Sequence, residues 1–178
     1  MKSTKLLIRP AKKEDSAILA NLGTQTFSNA YSHILPARDL NDYLQKEFNT
    51  HKLSKDIIDP VNLFFIAFIS REPCGYIKLT PSSVPKNIAV KKPIELERLY
   101  ITNNYQEQGL GAALLDTGLS SATNKGYKAC WLKVWENNRK AISFYKRKGF
   151  SQVSNDSYKV GTVCRNVILM VCSLEKQS

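Results

Sequence analysis

Two glycines, Gly109 and Gly111, follow an apolar, β-type segment and open a segment with helical periodicity. A helix N-terminus presents unpaired backbone N–H groups and the positive end of the helix dipole. Because glycine has no Cβ, an anion can approach those amides closely, so the pattern predicts a site suited to a pyrophosphate. It is neither a Rossmann fingerprint nor a P-loop, since the third glycine and the Gly-Lys-Ser/Thr run are both missing. Alone, the pair is equally typical of a tight strand-to-helix turn.

Tyr145 is a candidate proton donor on a segment, residues 138–148, that we predict to be a helix. It shares one face of that helix with Ala141 and Phe144, because residues three and four apart are neighbours. A hydroxyl with an ordinary pKa of about 10 suits the protonation of a leaving thiolate. Packing of the ring against a sheet is the alternative role. Asn138 is a favoured helix N-cap.

Two glutamates on a predicted strand over residues 94–101 are the candidate bases. Burial among apolar neighbours raises the pKa of a carboxylate, which suits a base that works near neutrality. We prefer Glu97 and hold Glu95 in reserve, although a salt bridge to a neighbouring Lys or Arg explains Glu97 equally well. Strand alternation predicts one face with Glu95, Glu97, Leu99 and Ile101, and the other with Leu96, Arg98 and Tyr100.

The glycine pair belongs to a longer motif. Gln106 precedes Gly109 by three residues, and Gln106-x-x-Gly109-x-Gly111 resembles the acetyl-CoA pyrophosphate loop of the GNAT acetyltransferase superfamily in full. A second block resembles that superfamily's run after the fifth strand, Asn138-x-x-Ala141-x-x-x-Tyr145-x-x-x-Gly149-Phe150. On these matches the chain is identified as a member of the GNAT superfamily. Further segments resemble the PaiA-type bacterial spermidine/spermine acetyltransferases: 95–101, 131–136, 141–146, Phe27 and 43–49.

The resemblance implies an α/β, mixed α+β fold with one mixed, mostly antiparallel sheet, flanked by helices and splayed between its fourth and fifth strands. It implies acetyl-CoA as cosubstrate and direct attack by an amine, with Tyr145 as general acid and Glu97 as base. The implied cofactor-binding residues are Leu99, Tyr100 and Ile101 for the pantetheine arm, the amides of Glu107, Gln108, Gly109, Leu110, Gly111 and Ala112 for the pyrophosphate, and Gln106, Asn138 and Tyr145.

The sequence defines the acceptor amine less closely than it defines the acetyl donor. A small primary amine, in particular a polyamine such as spermidine or spermine, is the expected acceptor from the PaiA-type segments. Acidic residues in the first third of the chain would attract such a cation: Asp39, Asp42, Glu47, Asp56 and Asp59. Tyr31 and Trp135 are candidates to line the amine site, or to pack in the core. A protein N-terminus, a lysine or an aminoglycoside remains an alternative acceptor, and a non-catalytic acyl-CoA-binding regulator is an alternative of another class.

Composition narrows the remaining possibilities. The net charge of +11 divides unevenly, since residues 1–60 hold nine basic and seven acidic side chains (+2) and residues 61–178 hold seventeen and eight (+9). The excess therefore lies with the predicted anion site, and without a dense basic run we expect no nucleic-acid partner. The four scattered cysteines and two histidines predict no metal site. We expect a single domain over residues 1–178, without a membrane segment, located in the cytoplasm; a homodimer is possible.

The elements that position these groups follow from hydrophobic periodicity. We predict a mixed sheet with hairpins in its first half and strand–helix crossovers in its second half. The predicted strands cover residues 6–9, 61–69, 74–80, 94–101, 128–135, 150–153 and 159–172. Two predicted helices begin near residues 13 and 36, and a further helical turn or two follows the second of them up to residue 59. Two more helices cover residues 109–125 and 138–148, and residues 81–93 form a loop.

Overall fold

The computed structural model describes residues 5–82, 85 and 88–175. Within these residues, seven strands and five α-helices follow one another in an order that matches the predicted one over most of its length. The strands are β1 (Leu6–Pro10), β2 (Leu63–Ile69), β3 (Glu72–Thr80), β4 (Pro93–Ile101), β5 (Ala129–Trp135), β6 (Ser151–Val160) and β7 (Val163–Ser173). The α-helices are α1 (Ser16–Tyr31), α2 (Ala37–Glu47), α3 (Thr50–Ile58), α4 (Leu110–Asn124) and α5 (Arg139–Arg147).

All seven strands form one mixed sheet, in the order β1-β2-β3-β4-β5-β7-β6. Its neighbouring pairs are antiparallel except β4 and β5, which run parallel. A parallel pair requires a crossover, and α4 provides it between β4 and β5. The predicted fold class, one mixed and mostly antiparallel sheet flanked by helices, is therefore confirmed.

The C-terminal part of the sheet differs from the prediction. The segment predicted as one strand over 159–172 contains a turn at Gly161 and Thr162, and the strand predicted over 150–153 extends to Val160. Gly161 has a φ of +56°, a conformation that glycine adopts readily, so the chain reverses there and β6 pairs with β7. The prediction failed because β6 is exposed along most of its length and lacks a hydrophobic pattern.

Both faces of the sheet carry helices. The larger apolar core lies between the sheet and α4, with residues of α5 packed against it. Gly118 allows α4 to approach β3 closely, because a Cβ there would lie 2.8 Å from side-chain carbons of Ile77 and Leu79. On the opposite face, α1 and α3 cover a smaller core, and α1 and α2 share an aromatic cluster with β6. The predicted loop over 81–93 lies partly outside the described residues, which omit 83, 84, 86 and 87.

A β-bulge in β4 corrects the predicted facing of its side chains. Lys78 of β3 pairs with Arg98 whereas Leu79 pairs with Leu96, so Glu97 faces no partner on β3. One extra residue on one strand resets the alternation. Leu96, Leu99 and Ile101 consequently face the α4 core, and Glu95, Glu97, Arg98 and Tyr100 line the opposite face.

Six charged side chains join α2 and α3 to this bulged region in a closed ring of ion pairs. Glu97 forms ion pairs with Lys78 at 2.7 Å and with Arg98 at 3.2 Å. The ring then runs from Arg98 to Glu47 (2.9 Å), to Lys52 (3.3 Å), to Asp56 (3.2 Å) and back to Lys78 (3.0 Å). Lys78 and Arg98 are buried. Because each buried cation contacts two carboxylates, the ring compensates their desolvation.

Among the described residues, no helix combines the length and apolar composition that a bilayer crossing requires. The expected cellular location stays a prediction.

The buried part of the ring should stabilise the fold. We expect Lys78→Met to lower the free energy of unfolding by about 3 kcal/mol, because Asp56 and Glu97 would each lose a buried cation. Urea denaturation followed by circular dichroism measures this change. Arg38→Met is the matched control, since its ion pair with Asp42 is 3.9 Å long and exposed, and it should change stability by less than about 0.5 kcal/mol. Equal effects of the two substitutions would contradict a stabilising ring.

Candidate active site

The strands β4 and β5 separate, and this separation creates the central feature of the site. They pair only over Pro93–Glu95 and Ala129–Trp131. Beyond Glu95, β4 stays paired with β3 as far as Ile101 but has no ladder partner on its β5 side. Backbone groups on that side of the predicted pantetheine residues (Leu99, Tyr100 and Ile101) are therefore placed so that an extended ligand can pair with them. Their contact with pantetheine stays a prediction.

A cradle of backbone amides lies where β4 leads into α4. The chain passes through a 3₁₀ turn over Asn103–Tyr105, and α4 begins after Gly109, whose φ is +80°. Within the described residues, none of the backbone N–H groups over residues 107–112 donates to a backbone or side-chain acceptor. Unpaired amides at a helix N-terminus favour an anion, so the geometry fits the predicted pyrophosphate.

Gln106 and Asn138 hold the backbone on either side of this cradle. The Gln106 side-chain amide donates to the Ile101 carbonyl at 3.1 Å and to Asn103 Oδ1 at 3.2 Å. Asn138 Oδ1 accepts from the Ala141 N–H at 3.1 Å, which confirms its role as the N-cap of α5. Any direct contact of these two side chains with the cofactor stays a prediction.

Glu107 is the first residue of the cradle, and its negative charge would repel the anion that the cradle amides are suited to bind. Its φ of +62° lies in the left-handed region, which is unfavourable for a residue with a Cβ. Its carboxylate forms an exposed ion pair with Lys140 of α5, at 3.0 Å. In this arrangement Lys140 is paired with a carboxylate of the protein.

Tyr145 lies on the α4 side of the sheet, half-buried against Phe144 and Phe150. Burial raises the pKa of its hydroxyl above the ordinary value, and the nearby thiol of Cys130 adds to this effect. Within the described part of the chain the hydroxyl makes no hydrogen bond. It is therefore protonated at neutral pH and free to donate.

A cavity of about 300 Å³ lies on the other face of the sheet, across the separating strands. It is rich in aromatic rings, and both residues that the sequence nominated for an amine site, Tyr31 and Trp135, line it. The lining also includes groups that the sequence analysis did not select, because they come together only through β6, β7 and α2. The lining residues are Phe27, Tyr31, Leu35, Tyr43, Glu47, Glu95, Leu96, Glu97, Arg98, Tyr100, Lys133, Trp135, Tyr158, Val160, Arg165 and Val167.

The two candidate bases differ in their surroundings within this cavity. Both oxygens of Glu97 contact a cation, Lys78 or Arg98, which is the salt-bridge alternative for this residue. Glu95 has no ion pair with any described residue. Burial raises the pKa of its carboxyl, against the lowering effect of a hydrogen bond from Ser82. The role of Glu97 as base stays a prediction. Because Glu95 has no ion pair among the described residues, its carboxylate oxygens are more available to accept a proton.

Among the described residues, no cluster of three or more His, Cys, Asp or Glu side chains is arranged to hold a metal ion. Three of the four cysteines are buried, whereas Cys164 is exposed.

Comparison with known proteins gives consistent matches. The profile of the Acetyltransferase (GNAT) family matches residues 25–150. An uncharacterised N-acetyltransferase of Lactobacillus delbrueckii subsp. lactis is 25% identical over 155 residues, which is 87% of this chain and 89% of the relative. A spermidine N(1)-acetyltransferase of Thermoplasma acidophilum is 28% identical over 153 residues, covering 84% and 90%. The crystal structure of the PaiA N-acetyltransferase from Thermoplasma acidophilum, in complex with coenzyme A, superposes with a TM-score of 0.79 at 23% identity, covering 95% and 99%.

The Glu107 carboxylate should oppose the binding of coenzyme A. We expect Glu107→Gly to lower the Kd for coenzyme A about fivefold, because a like charge near the pyrophosphate is removed and Lys140 is released. Isothermal titration calorimetry measures this change, and the gain should shrink at high salt. Arg71→Gly is the matched control, since Arg71 also has a positive φ (+76°) but lies in the β2–β3 turn. Weaker binding of coenzyme A by Glu107→Gly would contradict this prediction and would show that the Glu107 carboxylate favours coenzyme A binding.

Proposed function

Because this chain belongs to the GNAT family of acetyltransferases and is an acetyl-CoA-dependent N-acetyltransferase, we propose that it acetylates a primary amine of a small molecule bound in the aromatic cavity. The arrangement on both sides of the β4–β5 separation is the observation that carries this proposal. The amide cradle and Tyr145 lie on the α4 side, and the cavity lies on the opposite side. A thioester between the strands would meet an amine that enters from the cavity.

The cofactor supplies an acetyl group activated as a thioester, and the protein must manage two protons. An alkylamine is mostly protonated near neutral pH and cannot attack until it loses a proton. We assign that proton to the Glu95 carboxylate, because Glu95 lines the cavity and has no ion pair with any residue that the structure describes. The departing sulfur needs a proton, which the Tyr145 hydroxyl is free to donate, and the second proton of the nitrogen leaves as the amide forms and restores the hydroxyl of Tyr145. The ring of ion pairs fixes Glu97 and Arg98 beside the acceptor.

A polyamine such as spermidine or spermine is the acceptor that the relatives support. The Thermoplasma relative is named a spermidine N(1)-acetyltransferase, and the similarity covers most of both chains. The aromatic lining of the cavity adds support, because ring faces attract ammonium groups. The charges of the cavity do not favour a polycation in the same way, since it holds three carboxylates and three cationic side chains.

Release of coenzyme A with a panel of amines tests the activity. We expect turnover with small primary amines, spermidine and spermine among them. Tyr145→Phe should lower kcat at least about 100-fold, because the departing thiolate loses its proton donor, while the Kd for coenzyme A stays within about twofold. An absence of turnover across the panel would contradict the enzyme, and unchanged turnover in Tyr145→Phe would contradict the acid role.

The pH dependence of the reaction distinguishes the two glutamates. A base must be ionised, so activity should fall as the pH drops through the pKa of Glu95, which lies above its ordinary value of 4.5. We expect Glu95→Gln to lower kcat/KM at least about 100-fold and to remove this acidic limb. Steady-state kinetics between pH 5 and 9 measures both effects.

Glu97→Gln is the matched control for Glu95→Gln. It weakens the ring, so it should lower thermal stability, but it should keep the acidic limb of the pH profile. Loss of the acidic limb in Glu97→Gln, but not in Glu95→Gln, would show that Glu97 is the base.

A further inference from the structure

Arg165 projects from β7 into the aromatic cavity, where the lining carries three cationic side chains. The other two are already matched with carboxylates. Arg98 lies in the ring of ion pairs, and Lys133 contacts Asp156 of β6 at 3.1 Å. Arg165 has no carboxylate within ion-pairing distance among the described residues. It is therefore the one cation of this cavity, within the described chain, whose charge is uncompensated.

The surroundings hold the Arg165 guanidinium in one orientation. Its central carbon lies 4.7 Å from the centre of the Trp135 ring, a cation–π distance. One terminal nitrogen, Nη2, donates to the Ile34 carbonyl at 3.3 Å. Its Nε is buried and donates to no described acceptor. A guanidinium presents five donors in a fixed plane, and stacking on an indole leaves its edge free to meet a planar anion.

Glu95 is the complementary group, because it is the carboxylate of the same lining without an ion pair among the described residues. Glu95 pairs with Trp131, and Arg165 lies beside Trp135, four residues further along β5. Four residues of strand correspond to about 13 Å. From this spacing we expect an acceptor several bonds long to fit between the two side chains. The cavity lining thus holds a carboxylate and a guanidinium that have no ion-pair partner among the described residues.

We propose that Arg165 is a specificity-determining residue that binds a carboxylate of the acceptor, so that the preferred acceptor carries its primary amine and a carboxylate several bonds apart. This proposal rests on the proposed acetyl transfer and refines its acceptor. An ω-amino carboxylate would place its ammonium at Glu95 and its carboxylate against the guanidinium of Arg165. A diamine of the same length would place a second ammonium beside Arg165, where the like charge opposes binding.

Matched acceptors test this assignment. 4-Aminobutyrate, putrescine and butylamine share a four-carbon chain and end in a carboxylate, an ammonium and a methyl group; 6-aminohexanoate, 1,6-diaminohexane and hexylamine repeat the comparison with six carbons. We expect the wild-type kcat/KM to be at least about tenfold higher for the amino carboxylate than for the diamine. Arg165→Gln should lower the ratio of amino carboxylate to monoamine by about 10- to 100-fold, the range of a charge-assisted bidentate contact. Arg165→Glu should reverse the preference in favour of the diamine.

Three controls separate recognition from folding. Arg38→Gln, on the exposed face of α2, should leave all ratios unchanged. Arg165→Lys keeps the charge but loses the planar fork, so its ratio should lie between those of the wild type and Arg165→Gln. Thermal unfolding and the Kd for coenzyme A report whether each variant is folded. Unchanged ratios in folded Arg165→Gln, or a wild-type preference for diamines, would overturn the proposal.

Binding separates this inference from the proposed activity. Titration of each acceptor into the complex with coenzyme A measures affinity without turnover. Binding of amino carboxylates that depends on Arg165, without acetylation, would support the subsite and contradict the proposed reaction. Acetylation of amines with no Arg165-dependent preference would support the reaction and overturn the subsite.

Discussion

The structure depends on one constraint, which is that β4 cannot remain paired with both of its neighbours. It pairs with β3 along its length, but an extra residue at Glu97 interrupts the register. Its parallel pairing with β5 is limited to three residues. A bulge increases the local twist of a strand, and this is consistent with the divergence of β4 from β5 beside it, which begins beyond Glu95. The site lies where the two strands separate.

The ring of six ion-paired side chains makes the bulge compatible with a folded core. The bulge brings Glu97 and Arg98 to the same face of the sheet, beside the buried Lys78. Such a concentration of charge is costly unless each group is paired. Carboxylates from α2 and α3 supply the remaining partners, so the ring also anchors α2, which contributes Tyr43 and Glu47 to the cavity lining.

This pairing also distinguishes the two charged groups of the cavity, Glu95 and Arg165, that have no ion-pair partner among the described residues. Most charged side chains of the lining are occupied by partners within the protein, which leaves Glu95 and Arg165 available to a ligand. The cradle shows the opposite case, because Glu107 places a negative charge where an anion is expected and occupies Lys140. Paired charges stabilise the fold, whereas an unpaired charge marks a position where a ligand can supply the opposite charge.

The sequence by itself determined the cradle, the capping of α5 by Asn138, the family and the fold class, because these features depend on short-range spacing within single strand–turn–helix segments. It named both candidate glutamates and preferred Glu97, but it did not predict the ring of ion pairs that holds Glu97, since the partners of Glu97 lie on β3 and on the same strand at an unpredicted bulge. It also missed Arg165 and the turn at Gly161. Only the tertiary structure decided the facing of β4 and the composition of the cavity, because a bulge of one residue reverses every subsequent side chain and the lining comes from segments more than one hundred residues apart.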